Sequence, residues 1–254
     1  SRNISSHKAM SAYDTNSIFP LWIIEKESGN KKCSFSLHFV NRVRSHLDYK
    51  MGLDKQQYDE FCTKIFCYMY GVLQSESYRN RYRDFLISDF PRIPFTTNRK
   101  LFEKIAEKGA SLIHLHLLEG KVEPKGITVL GNEELIVEKP TFSDNTIWLN
   151  KKQTIGFSGV NEDVWNFKIG GYQVCHKWLK DRIQNIAKNR PSARLSIEEI
   201  SVYRNIISTI QETIKTKKEL DNIIKQSGGF PLNGSDLFSM PQGGLDDNQR
   251  TLFS

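Results

Sequence analysis

Residues Ser75 to Phe95 read S-E-S-Y-R-N-R-Y-R-D-F-L-I-S-D-F-P-R-I-P-F. On helical spacing Tyr78, Tyr82, Phe85 and Leu86 fall on one side, an apolar stripe suited to a core. Arg79 and Arg83 share a neighbouring face one turn apart, and Arg81 points elsewhere. The word Phe90-Pro91-Arg92-Ile93-Pro94 stops the helix, because each proline lacks an N–H and restricts the residue before it. A basic helix with a rigid, extended exit is the expectation. Arginines among aromatics suit contact with phosphates and bases. A solvated helix face has the same composition, and the segment alone leaves both meanings open.

Working outward, Asp54 to Leu73 repeats Phe61, Ile65, Tyr68, Met69 and Val72 at helical spacing, with Gly71 as its weak point. After Pro94, Thr96-Thr97-Asn98 offers an N-cap for a helix running to about Glu119, which Gly120 can close. The middle of the chain is β-prone. Ile127–Leu130 and Leu135–Val137 flank Gly131-Asn132 as one expected hairpin. Ile147-Trp148-Leu149 and Ile155-Gly156-Phe157 flank Asn150–Thr154 as a second. Helices then return: Val174, Trp178, Leu179, Ile183 and Ile186 face inward on one of them. Ser196 and Glu199 form a capping box that starts a helix reaching roughly Gln226, about 45 Å long. Its seam of Ile200, Tyr203, Ile207, Ile210 and Ile214 suits a coiled coil or packing on its own domain, and Lys217 and Asp221 break the register. The expected fold class is α+β, predominantly helical, with a small antiparallel β portion and a long C-terminal helix.

The chain has 254 residues, 36 Lys+Arg against 29 Asp+Glu and a net charge of +7. Its pI is about 9.1 and its mean hydropathy is -0.49. This balance favours a polyanionic partner. No apolar run approaches the roughly 20 residues of a membrane span, and a cytoplasmic protein with no membrane partner is expected. Cys33, Cys62, Cys67 and Cys175 lack metal-ligand spacing and read as buried, reduced thiols. The opening Ser1-Arg2-Asn3, without an initiator methionine, reads as that of an excised fragment.

Tyr78-Arg79-Asn80-Arg81-Tyr82-Arg83 with Asp84 to Phe95, and later Val164 to Cys175 with Lys177-Trp178-Leu179-Lys180-Asp181-Arg182, together resemble one family. They are similar to the C-terminal region of large single-polypeptide restriction–modification enzymes of the Type ISP kind. Related regions follow the methyltransferase domain of many adenine-N6 DNA methyltransferases. Ile18-Phe19-Pro20-Leu21 resembles the exit from that domain, and the likeness continues through Leu112–Glu119 to Gly228-Gly229-Phe230-Pro231-Leu232. Gln74, Glu76, Lys168 and His176 depart from the family pattern, which has histidine, proline, histidine and glutamate there.

The resemblance implies sequence-specific recognition of double-stranded DNA within a bacterial defence system, with adenine presented to an upstream methyltransferase domain of the same polypeptide. S-adenosylmethionine would serve the parent enzyme, and no cofactor is expected in this stretch. The implied organisation is a connector over 1–32, a helical part over 33–120, and β-hairpins with a basic helix over 121–195. A spacer helix over 196–226 and a flexible tail over 227–254 complete it.

Catalytic patterns are missing from the sequence. It has no N-P-P-Y type motif to hold an adenine amine, no G-x-G run after a strand and no P-loop. Glu133, Glu134, Glu138 and Lys139 have the residue types of a nuclease site, but not its spacing. His114 and His116 lie two apart on a helix and point to different sides, as packing or surface histidines do. Whether the parent chain is an enzyme is therefore a matter for residues outside this sequence.

Two groups remain as candidate DNA contacts besides Arg79 and Arg83. The loop Asn150-Lys151-Lys152-Gln153 sets two cations and two amides at a hairpin tip, where lysine neutralises phosphate and Asn or Gln can bond adenine bidentately. The second group is Asn166, Lys168, Tyr172, Gln173, Lys177, Lys180 and Arg182, around Gly170-Gly171 and a helix start, where backbone N–H groups can meet a phosphate. Trp165, Phe167 and Trp178 read as core. Two rival functions stay open: a helical protein-interaction module built on the Ser196 helix, and a single-stranded nucleic-acid binder that stacks bases on tyrosines and tryptophans.

Overall fold

A computed structural model describes residues 20–25, 29–49, 54–88, 90–119, 122–123, 126–131, 134–184 and 192–232. The expected Gly120 cap, Asn132, Glu133, Ile186 and most of the connector and tail lie outside these residues. The chain divides into two units, one formed by Ser1–Ala110 with Leu220–Ser254 and the other by Ser111–Glu219. The fold is α+β and mainly helical, with small antiparallel sheets.

In the first unit, strands β1 (Trp22–Ile24) and β2 (Lys31–Cys33) pair antiparallel. Helix α1 (Leu37–His46) follows, N-capped by the Ser36 hydroxyl, which accepts from Phe39 N–H. Helix α2 (Lys55–Gln74) starts at the Asp54–Gln57 capping box, with both reciprocal bonds present. Its Phe61, Ile65, Tyr68 and Val72 are buried as the periodicity predicts. Helix α5 (Arg99–His116) starts at Asn98, whose Oδ1 accepts from Leu101 N–H at 3.1 Å. Leu118 turns left-handed at φ 54, and Glu119 N–H reaches back to the His114 carbonyl at 3.0 Å, the six-to-one bond of a Schellman turn.

The glycine that the sequence marks as a weak point in α2 is a packing requirement. A Cβ on Gly71 would lie 2.9 Å from the Ile105 carbonyl oxygen of α5. A Cβ on Gly109 would lie 1.9 Å from the Cys67 carbonyl oxygen. The two helices therefore cross in backbone contact, and the helix-propensity cost of glycine is offset by that approach.

The decisive stretch is two short helices rather than one. Helix α3 (Glu76–Arg81) ends at Tyr82, which leaves helical geometry at φ -108, and α4 (Arg83–Ser88) restarts beyond it. The expected stripe is split by this break. Tyr78 is buried against Tyr82 and Phe230, with ring centroids 5.1 and 5.5 Å away, whereas Phe85 is 69% exposed. The helix stops before the prolines as expected, and two tyrosines hold the irregular exit. Tyr68 Oη donates to the Pro94 carbonyl and Tyr78 Oη to the Arg92 carbonyl, each at 2.7 Å. Tyr68 is also stacked between Phe95 and Phe102, each 4.9 Å from its ring centre.

In the second unit, strands β3 (Thr128–Leu130), β4 (Thr141–Ser143), β5 (Thr146–Trp148) and β6 (Gly156–Ser158) form an antiparallel sheet in the order β3-β6-β5-β4. The second expected hairpin is β5–β6, with Ile147 opposite Phe157. The first does not form. β3 pairs with β6, and Leu135–Val137 instead lies along residues 193–195, through an isolated Ile136–Arg194 bridge and flanking backbone bonds. The physical reason is the register: it aligns Val129, Phe157, Ile147 and Phe142 as successive partners across the sheet, so that one face carries a continuous apolar row. Asp144 and Asn145, both at positive φ, make the tight β4–β5 turn.

Helices α6 (Glu162–Trp165) and α7 (Val174–Gln184) and the tiny hairpin β7 (Lys168–Ile169)/β8 (Tyr172–Gln173) follow the sheet. The long helix α8 (Ile197–Gln226) starts at the capping box expected, with Ser196 N–H donating to Glu199 and Glu199 N–H to the Ser196 hydroxyl. Its Tyr203, Ile207 and Ile210 are buried in the core of the second unit, with Ile147, Leu149, Phe157, Cys175 and Leu179. That seam therefore packs on its own domain and is not a coiled-coil face. Asp221, which breaks the register, caps α3: its carboxylate accepts from the Ser75 and Ser77 hydroxyls at 2.6 and 2.7 Å and from Glu76 N–H at 3.0 Å.

All four cysteines are free and buried. Burial pushes the Cys62 and Cys175 thiols up to about 12, so both are protonated at neutral pH. Replacing Gly109 by Ala is expected to lower unfolding stability by about 2–3 kcal/mol, because its methyl would meet rigid backbone. Chemical denaturation checks this, and an unchanged midpoint would contradict the backbone crossing.

Candidate nucleic-acid interface

The β5–β6 tip is a five-residue loop closed by its own first residue. Asn150 Nδ2 donates to Thr154 Oγ1 at 2.8 Å, and Thr154 N–H donates to Asn150 Oδ1 at 3.1 Å. Gln153 takes a left-handed conformation at φ 55 while its N–H bonds the Asn150 carbonyl. Lys151, Lys152 and Gln153 are exposed. The loop thus uses both ends of the Asn150 amide as its clasp, and it presents two ammonium groups and the Gln153 amide to solvent.

The second group centres on β7–β8. Gly170 and Gly171 have φ 55 and 82, the two positive values of a type I′ turn, which only glycine supplies without strain. The glycine pair is therefore a hairpin tip and not the first turn of α7. The Val174 N–H at the start of α7 bonds the Phe167 carbonyl. Lys168 pairs with Gln173 and Ile169 with Tyr172. Gln173 Nε2 donates to Asn166 Oδ1 at 3.1 Å, which ties the ribbon to its base. Lys168 and Lys180 are exposed, and Tyr172 is 50% exposed.

Two cations of this group are engaged inside the fold. Lys177 pairs with Asp181 one turn along α7. Arg182 sits over Trp178, with Cζ 3.2 Å from the ring centre, donates to the Trp178 carbonyl at 3.0 Å and pairs with Glu199 at 3.4 Å. Trp178 in turn stacks on Tyr203 at 4.7 Å. Trp165 stacks on Phe142 at 5.9 Å, and Trp165, Phe167 and Trp178 all pack against the core, as their pattern implies. Burial, then the Lys180 charge, holds His176 below the ordinary imidazole range, so it is neutral at pH 7 and adds no charge here.

Arg79 and Arg83 belong to the first unit and the other candidates to the second. Arg79, Arg81 and Arg83 are all exposed, on α3 and α4. So are Phe85, Ile87 and Phe90, at 67–77%, a set that the expected stripe assigned in part to the core. The exposed Ile169 was also missed, although alternating residues around Gly-Gly are a hairpin signal. Among the described residues no group of acidic, histidine and cysteine side chains could hold a metal. Among them, too, no helix is long and apolar enough to cross a membrane.

The family model described as the Type ISP C-terminal specificity domain matches residues 1–216. The chain belongs to this family. Among solved structures, this specificity domain is similar to the DrdV–DNA complex determined by cryo-electron microscopy, with a TM-score of 0.56 and 19% identity over 80% of this chain and 21% of that one. It is similar also to LlaBIII, an ATP-dependent Type ISP restriction–modification enzyme bound to DNA, with a TM-score of 0.52 and 19% identity over 80% of this chain and 13% of the other. A nuclease-deletion mutant of the Type ISP enzyme LlaGI in complex with a DNA substrate mimic gives 26% identity and a TM-score of 0.45, over 63% of this chain and 13% of that one. The specificity domain therefore spans 13–21% of the length of these chains. No curated protein matches it.

Arg182→Ala is expected to lower stability by about 2 kcal/mol, through loss of the stacked guanidinium and its pairing with Glu199. Thermal unfolding measures it. Unchanged stability with weakened DNA binding would instead make Arg182 a direct contact.

Proposed function

We propose that this domain recognises a short asymmetric sequence in duplex DNA and presents its adenine to an adenine-N6 methyltransferase domain lying upstream in the same polypeptide. The observation that carries the reading is membership of the specificity-domain family over residues 1–216. The relatives of known structure are bound to DNA and much longer than this chain, which supports a role as one module of a larger machine. S-adenosylmethionine would bind the upstream domain, and the assembly would act in bacterial defence within the cytoplasm.

The division of labour follows from charge and reach. Exposed Lys151, Lys152, Lys168, Arg79 and Arg83 hold phosphates and supply affinity and register. Exposed Gln153 reads base edges through its amide, while Gln173, whose Nε2 is tied to Asn166, has its side-chain oxygen for the same work, with Tyr172 and the Asp181-paired Lys177 beside it. Asn150 and Arg182 serve by holding the tip and α7 in place. The long helix α8 keeps exposed Ile197 and Val202 available for the upstream domain. The rival interaction module would need the Tyr203–Ile210 seam, which is already covered by its own core. The rival single-strand binder would stack bases on exposed tyrosines and tryptophans, of which Trp165 and Trp178 are already stacked on their neighbours and Tyr172 is half-exposed.

Replacing Lys151 and Lys152 together by Ala is expected to weaken binding to all duplexes alike. It should also reduce the magnitude of the salt slope by about 0.9 for each phosphate that is no longer neutralised. Fluorescence anisotropy over a range of salt concentrations measures both. An unchanged affinity and slope would remove the β5–β6 tip from the interface.

A further inference from the structure

The β7–β8 ribbon has two chemically different faces. Side chains alternate along a strand, so the partners Ile169 and Tyr172 share one face, while Lys168 and Gln173 share the other. The polar face holds Gln173, tied to Asn166, and Lys168, a solvated cation. The apolar face is open to solvent, with Ile169 64% exposed and Tyr172 50% exposed. The tip also stands clear of the body, for a Cβ built on Gly170 or on Gly171 would meet nothing within 4 Å. A bare Gly-Gly end beside a large aliphatic side chain is narrow enough to enter a groove before that side chain does.

We infer that Ile169, backed by Tyr172, is a wedge that enters a base step of duplex DNA and unstacks it. This rests on the DNA-recognition reading above and adds to it a second task, deformation of the duplex. Charge complementarity selects the occupant. Lys168 stands on the same short strand as Ile169, and exposed Lys180 lies on the next helix of a chain with net charge +7. An apolar knob with one exposed lysine beside it in the strand and another on the following helix suits a polyanion with a stacked apolar interior, and aliphatic wedges between base pairs are a recurring means of kinking DNA. Pyrimidine–purine steps unstack most easily and are the sites where the wedge acts.

The test uses the whole chain and mixed-sequence duplexes carrying 2-aminopurine at TA or CA steps, whose fluorescence rises when the base unstacks. The wild type is expected to raise the fluorescence on binding. Ile169→Ala should abolish the rise and weaken binding about tenfold while leaving the salt slope unchanged. Lys168→Ala should keep the rise and reduce the slope. Ile169 is exposed, so its loss leaves the fold intact, which a thermal melt of the variant checks. If Ile169→Ala raises the fluorescence as the wild type does, the wedge is wrong and DNA recognition stands. If the wild type does not bind duplex at all, the recognition reading falls with it.

Discussion

The burial of one tyrosine holds the second unit together. Tyr203 of α8 is fully buried. It meets Phe157 of the sheet edge-on at 4.9 Å, stacks on Trp178 of α7 at 4.7 Å and donates its hydroxyl to the Cys175 carbonyl at 3.2 Å. Desolvation pushes its phenol far above the ordinary tyrosine range, so the hydroxyl remains a donor at any working pH. Sheet, α7 and α8 are thereby fixed by a single side chain. Both candidate DNA elements of this unit depend on it: the β5–β6 tip grows from the strand that carries Phe157, and the β7–β8 ribbon runs directly into α7.

The first unit solves a different problem, that of backbone without a ladder. Its proline-bearing exit has no strand partner, and buried polar backbone must be satisfied. The hydroxyls of Tyr68 and Tyr78 do this for the Pro94 and Arg92 carbonyls. The N-terminus of the short α3 is satisfied by Asp221 and Ser75. Three exposed arginines are thus carried on a segment whose ends are held by tyrosine rings, an aspartate and a backbone crossing of α2 with α5.

Local signals of this fold were legible in the sequence. The capping pairs Asp54–Gln57 and Ser196–Glu199 mark helix starts because their chemistry is contained within four residues, and the Ser-x-x-Glu form of the second is the plainer signal. Periodicity located the buried faces of α2 and α8. The β5–β6 hairpin was legible for the same reason. What escaped depends on distant partners: the pairing of β3 with β6, the break at Tyr82, the capping role of Asp221 and the need for Gly109. The candidate site was readable as a set of residue types. Their standing as solvated cations, loop clasps or buried stacks was not, since Lys151 and Arg182 differ only in what surrounds them. The family likeness carried by the Tyr78–Phe95 and Val164–Arg182 words is the part of the function that sequence alone conveyed.

A specificity domain that hangs its recognition elements from a rigid core can change what it reads by changing loop residues alone, with the packing left intact. Under the proposed function, sequence is read in this chain and the chemistry is done elsewhere in the polypeptide. The most direct measurement is a binding selection by the 254-residue chain from a pool of randomised DNA duplexes. Enrichment of one short, asymmetric sequence containing adenine is the result the account predicts. A pool that stays random, or a preference for single strands over duplex, would contradict it.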